Sequence, residues 1–183
     1  MAIGNREDPV RGYNFVITLL DSTSALASVV VSLGIQKPPD AGFSECSGLE
    51  MTMKAEEFRE GGNNGTVLKF PNRVEWTNLR LRRGVTRSTA LWDWHYGFVE
   101  GKGKRRDGMI VLQNDLQKPV RAWRFSRGLP VKWTGPSLNA AQNQVAIEEL
   151  EIAHEGLKVV SASGLGVLGE AVESVAGAVE SLF

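Results

Sequence analysis

The chain has 183 residues, of which 42% are hydrophobic and 23% charged, as is usual for a soluble globular protein with one sizeable core. Its 21 lysine and arginine residues equal its 21 aspartate and glutamate residues, so the formal net charge is zero. A neutral chain lacks the bulk attraction to nucleic acid or to an anionic membrane that a basic protein has. It also offers little charge repulsion between copies, which suits self-association.

The cysteine content and the first residues predict where the protein is made. Cys46 is the only cysteine, so an intrachain disulfide is excluded and we expect a reducing compartment. Residues 1–9 are charged and polar and predict no cleaved signal peptide. No run of about 18 apolar residues occurs, so we expect no transmembrane helix.

Alternating apolar residues predict strands in the first third of the chain. Residues 13–19 predict a first strand with one buried face, and the β-branched run at 29–35 predicts a second. The clearest period of two covers residues 49–56, where leucine, methionine and alanine alternate with charged residues and threonine.

Two features interrupt this strand pattern. Residues 59–65 are rich in glycine and asparagine, which tolerate positive φ, and predict a loop or the tip of an open hairpin. Val74 and Trp76 lie in one phase of the alternation, whereas Leu79 and Leu81 lie in the other. Such a phase change predicts a bulge or bend inside one strand.

Apolar residues spaced three and four apart predict one helix over residues 88–99, with Ser88 as its N-cap. Trp92 and Trp94 are two positions apart, so they cannot both face the core. One of them is therefore predicted to lie at the surface or in an interface, where tryptophan is enriched.

The second half of the chain predicts more strands and an appended tail. Residues 109–112 and 120–125 flank a turn-like segment and predict a hairpin, and alternation returns at 129–133. Residues 145–155 are ambiguous, because their propensity favours a helix. In residues 161–183 an apolar stripe recurs at heptad-like spacing, which predicts a short amphipathic helix weakened by glycines.

No pattern of residues predicts a catalytic, metal or phosphate site. His95 and His154 lack the spacing of zinc ligands, and residues 43–48 around the cysteine lack a nucleophile signature. The glycine-rich residues 60–65 lack the lysine and the following helix of a phosphate loop. The basic residues 102–106 stand alone, which favours a solvated turn that protects a sheet edge. We therefore predict no enzyme activity and no cofactor.

A series of short motifs occurs in a particular order between residues 8 and 157. They are DPVRGYNF (8–15), GFSECSGLE (42–50), EGGNN (60–64), LRRGVT (81–86) with LWDW (91–94), PVKWTGPSLN (130–139), and VAIE (145–148) with HEGL (154–157). Taken together, these motifs resemble the phage tail tube protein family, which includes the tubes of extracellular contractile injection systems.

The resemblance implies a mainly β fold, a small antiparallel β barrel or sandwich with one flanking helix, in residues 1–157, followed by a C-terminal extension in 158–183. It implies a strand at 145–155, which we adopt over the helical propensity. It also implies that six copies form a ring and that rings stack into a hollow tube. Such a tube is a conduit for cargo or DNA inside a phage tail or a phage tail-like particle.

The resemblance also suggests partners and contact residues. Besides other copies of itself, the implied partners are a contractile sheath, a baseplate, a tail terminator and cargo in the lumen, after synthesis in the bacterial cytoplasm. The projecting loop is the candidate for contacts between subunits and rings, through Glu56, Arg59, Glu60, Gly61, Gly62, Asn63, Asn64, Lys69 and Phe70. The helix is expected on the outer wall, with Trp94 as a candidate contact with the sheath or a neighbour.

Three alternatives remain from the sequence, of which a hydrolase is the weakest. Within the family, the chain could be a baseplate-proximal paralogue that initiates the tube, which would differ in copy number. From another class, a ligand-binding β barrel would also have alternating strands, but it would be a monomer.

Overall fold

The computed structural model describes residues 9–21, 42–62 and 65–161. The strand predicted at 29–35, the residues Asn63 and Asn64, and the helix predicted in the tail lie outside the described residues. In the described part, no helix is long and apolar enough to cross a membrane.

Nine strands and one helix make up the described part of the chain. The helix, α1, spans Ala90–Val99 between the fifth and sixth strands. The strands are β1 (Phe15–Asp21), β2 (Glu45–Ser47), β3 (Met51–Phe58), β4 (Leu68–Trp76), β5 (Leu79–Gly84), β6 (Arg106–Gln113), β7 (Pro119–Thr134), β8 (Ile147–Ala153) and β9 (Leu157–Ser161).

Seven of the strands form one antiparallel sheet in the order β1-β6-β7-β8-β5-β2, with β9 paired to β7. The 16-residue strand β7 pairs with β6 and β9 through its first half and with β8 through its second half. The sheet therefore ends at β1 on one side and at β2 on the other. β3 and β4 form a separate hairpin. The prediction of a mainly β, antiparallel fold with one helix is confirmed.

The core lies on the inward face of this sheet, where side chains alternate as a strand requires. Leu79 and Leu81 of β5 face Leu150 and Ile152 of β8, and all four are fully buried. Leu91 and Trp94 of α1 join the same cluster. The helix thus contributes its apolar side to a core that the strands define.

One ion pair is buried beside this core. Arg83 Nε donates to Glu148 Oε1 at 2.6 Å, and neither side chain is more than 8% exposed. Arg83 Nη2 also donates to the Ser88 carbonyl, while Trp133 Nε1 donates to Glu148 Oε2. These hydrogen bonds satisfy the two charges, which a buried pair needs because desolvation is costly.

Two local predictions differ from the structure, and some strands were not predicted. The phase change near residue 77 separates two strands, β4 of the hairpin and β5 of the sheet, and is not a bulge inside one strand. The helix N-cap is Thr89 and not Ser88, whose Oγ accepts a hydrogen bond from Ala90 N–H instead. β9 was not predicted, and it carries the sheet past Leu157 to Ser161.

Candidate assembly interface

The hairpin of β3 and β4, here called the arm, stands outside the sheet. Every described residue from Met51 to Glu75 is exposed, and only Trp76, at the end of β4, is half-buried. Among the described strands, β3 and β4 pair only with each other. A two-stranded hairpin is marginally stable alone in water, so the arm is expected to need a further partner.

Apolar side chains occupy both faces of the arm. Met53 pairs with Val74 and Met51 with Trp76, so these four share one face near the base. Between Met53 and Ala55 the register shifts, because β4 carries an extra residue there. Toward the tip, the second face carries an apolar cluster that we call the tip cluster, made of Phe58, Leu68 and Phe70.

The tip cluster is exposed although its members are large and apolar. Phe58 and Phe70 are 54% and 51% exposed, and their ring centroids lie 6.5 Å apart in an edge-to-face arrangement. Scattered exposed apolar residues are normal, but contiguous ones usually mark an interaction surface. The arm thus has the composition of an interface, and the described residues leave it uncovered.

The structure brings the described members of the predicted contact set onto this arm. Glu56 pairs with Phe70 across the two strands, and Lys69 Nζ lies 3.7 Å from Glu57 Oε1. Arg59, Glu60, Gly61 and Gly62 form the turn, whereas Asn63 and Asn64 are outside the described residues. The contact residues predicted from the sequence did not include the exposed apolar side chains of the arm, which are Met51, Met53, Phe58, Leu68 and Val74. Their alternation was visible, but alternation alone does not reveal that the described residues cover neither face of the arm.

The base of the arm is held by His154. Its Nδ1 accepts a hydrogen bond from Gly156 N–H, so its Nε2 carries the hydrogen and donates to the Thr77 carbonyl at 3.1 Å. The imidazole also packs against Trp76, with 6.0 Å between ring centroids. Burial lowers the pKa of His154, and the hydrogen bond to the Thr77 carbonyl only partly opposes this. The ring therefore joins the arm to the β8–β9 turn in its neutral form.

The chain enters the arm through Gly48, which has a φ of +87°. A Cβ at this position would lie 2.1 Å from the Asn78 carbonyl oxygen, far inside contact distance. Only glycine fits both the conformation and the space. The two ends of the arm, before β3 and after β4, are thereby kept in close contact.

Comparison with known proteins identifies the family. The family of T4-like virus tail tube proteins, gp19, matches the chain over residues 13–158. The chain belongs to this family. No curated protein matches it in sequence.

Several solved structures are similar to this tail tube protein. A chain in the cryo-EM structure of the anti-feeding prophage (AFP) baseplate, 6-fold symmetrised, is 28% identical, with a TM-score of 0.72, covering 86% of this chain and 99% of that one. A chain of the PVC sheath-tube complex, an extracellular contractile injection system in the extended state, is 25% identical, with a TM-score of 0.68 and coverage of 85% and 93%. A chain of the PVC sheath/tube terminator is also 25% identical, with a TM-score of 0.67 and coverage of 85% and 99%.

The structure corrects the surface role given to Trp94. The Trp94 side chain is 4% exposed, and its Nε1 donates to the Lys104 carbonyl at 2.8 Å, so it is a core residue of the tail tube protein. Trp92 is the outward one of the two, at 41% exposed. It stacks on Tyr96 and meets Trp133 edge to face at 4.7 Å. The outer aromatic patch therefore consists of Trp92 and Tyr96 of the helix and the half-buried Trp133 of β7.

Several other polar side chains that the sequence singled out are engaged within the fold. Arg105 and Arg127 both contact Glu155, and the Arg106 guanidinium lies over the Trp94 ring, so part of the basic turn is engaged within the fold.

Burial, aided by the nearby Glu45 carboxylate, raises the pKa of Cys46 to about 12, which suppresses its thiolate. Among the described residues, no group of three or more histidine, cysteine or acidic side chains is placed to hold a metal ion.

Proposed function

We propose that this tail tube protein is the repeated subunit of the inner tube of a contractile injection particle, in which rings of six copies stack into a conduit for cargo or DNA. The arm supports this most directly, because it exposes apolar side chains on both faces and its two strands pair with no other strand of the described chain. Identical copies are the natural partner for such an arm. A similar chain occurs in a 6-fold symmetrised assembly.

The sheet edges support the same proposal. In the described residues, β1, β2 and β9 each pair with a strand on one side only. Unpaired edges are sites of strand addition, and a ring of subunits can satisfy them. A head-to-tail contact that does not close then extends the assembly as a filament. The energy of injection resides in the sheath, so the tube contributes rigidity and a lumen and needs no catalytic group.

The arm residues Glu56–Phe70 are proposed as the subunit and ring contacts. Sheath, baseplate and terminator proteins are the proposed further partners, since similar chains come from structures with those names. Trp92, Tyr96 and Trp133 replace Trp94 as the candidate sheath contact. We place the finished protein in a phage tail or an extracellular particle, after synthesis in the bacterial cytoplasm.

Negative-stain microscopy of the purified protein tests the proposal, with stacked rings or tubes as the expected result. Deletion of residues 61–65 should leave a folded protein that no longer polymerises. A control variant outside the arm, Val99→Ala on α1, should still assemble. Tubes of normal length from the deletion variant would contradict the contact role of the arm.

A baseplate-proximal, tube-initiating subunit is the second candidate, because one similar chain occurs in a baseplate structure. Copy number in purified particles distinguishes the two: a repeated subunit is present in many rings, and an initiator in very few.

The tail beyond β9 is proposed as an appendage. Truncation after Ser161 tests the role of this tail and keeps β9 intact. A cut after Leu157 would instead remove this strand from the sheet.

A further inference from the structure

An apolar cleft opens between the two ends of the sheet, where β1 and β2 approach one another. Its volume is about 330 Å³. The lining is mainly apolar and includes Phe15, Cys46, Leu49, Ile110, Leu112 and Trp123. These side chains come from β1, β2, β6 and β7 and from the segment before β3. The cleft is therefore a gap in the main core that the described chain does not fill.

The chain's own arm cannot reach this cleft. Leu49 lies at the cleft, and β3 begins two residues later at Met51. Phe70 pairs with Glu56, five residues further along β3, which places it roughly 17 Å from the start of the arm. The tip cluster and the cleft are thus at opposite ends of the hairpin, so a contact between them needs a second copy.

We propose that the tip cluster of one subunit inserts into the β1–β2 cleft of the next subunit in the ring, an inference that rests on the proposed tube function. The two surfaces match in chemistry, since exposed aromatic rings meet an apolar cleft. The contact is head-to-tail, with different surfaces on the two copies, and it would close after a full ring.

The single cysteine makes this contact directly testable. Cys46 lies in the cleft, so a cysteine at Phe70 can form a disulfide with it only if the two Cα atoms come within about 7 Å. Phe70→Cys protein is assembled with an excess of the unmodified protein, so that tubes still form, and is then oxidised with copper phenanthroline. The exposed arm thiol supplies the thiolate, because Cys46 ionises poorly. We expect a covalent dimer on a non-reducing gel that reduction returns to monomer.

Two controls fix the identity of the bond. Co-assembly of Phe70→Cys with an excess of Cys46→Ser protein should abolish most of the dimer, because only the variant's own copies then carry Cys46. Val99→Cys, at a 71% exposed position on α1, should give no dimer above background. Leu68→Cys, on the same face of the arm, serves as a second reporter if Phe70→Cys is excluded from tubes.

The outcomes separate this inference from the proposed function. Tubes that contain Phe70→Cys or Leu68→Cys but yield no dimer with Cys46 would overturn the inference and leave the tube function intact. A protein that forms neither rings nor tubes, even with sheath and baseplate partners, would overturn both.

Discussion

Truncation of one aromatic ring on the arm should weaken tube assembly by an amount that follows from its exposure. Phe70 is 51% exposed in the single chain, so roughly 100 Å² of its side chain is free to be buried in a subunit contact. At about 25 cal/mol per Å², that burial contributes about 2.5 kcal/mol. Phe70→Ala removes most of it, about 2 kcal/mol per contact, which corresponds to a roughly 30-fold weaker association.

The assay is the concentration at which tubes appear, measured by sedimentation and confirmed by negative-stain microscopy. The melting temperature of the unassembled subunit should change little, because an exposed position contributes little to folding. Val99→Ala is the matched control, since Val99 is also exposed but lies on α1. If Phe70→Ala tubes formed at the unmodified protein's concentration, Phe70 would not be buried in the assembly.

Further predictions concern the stability of the subunit. Glu148→Leu leaves the Arg83 guanidinium buried without its carboxylate and should lower the free energy of unfolding by about 3–5 kcal/mol in denaturant titrations. The double variant Glu148→Leu with Arg83→Met should recover much of this loss. An equal loss in the single and double variants would contradict the role of the ion pair. Stability should fall as the pH drops below about 6.5, because the unfolded state binds a proton that His154, with its lowered pKa, resists. His154→Gln should flatten that dependence, and an unchanged pH profile would assign it to other groups. Gly48→Ala should lower the melting temperature by several degrees, because the added Cβ meets the Asn78 carbonyl and positive φ disfavours alanine; an unchanged melting temperature would mean that the base of the arm relaxes freely.

The strands with simple alternation could be predicted from the sequence. β1 and the β6–β7 hairpin follow directly from their pattern of apolar residues. β8 could not be predicted in this way, because the charged Glu148 occupies an inward position and interrupts the alternation of apolar residues. Its partner Arg83 lies 65 residues away in sequence, so local propensity carries no sign of the buried pair. The family resemblance supplied the strand that propensity missed.

The candidate interface could be predicted in position but not in detail. The glycine-rich turn marked the arm, since its residue types indicate a tip. Spacing also showed that only one of Trp92 and Trp94 is buried, but not which one. That choice depends on the Lys104 carbonyl, which accepts the indole hydrogen of Trp94 only in the folded chain.

Strand β7 has a mechanical consequence. In the part of the chain that the structure describes, it is the single strand through which the β6 side and the β8 side of the sheet are hydrogen-bonded to each other. Neither side can separate from the other without breaking β7 away from one set of neighbours. A load applied to one side is thus transmitted through a continuous backbone to the other, so the sheet resists deformation as one body.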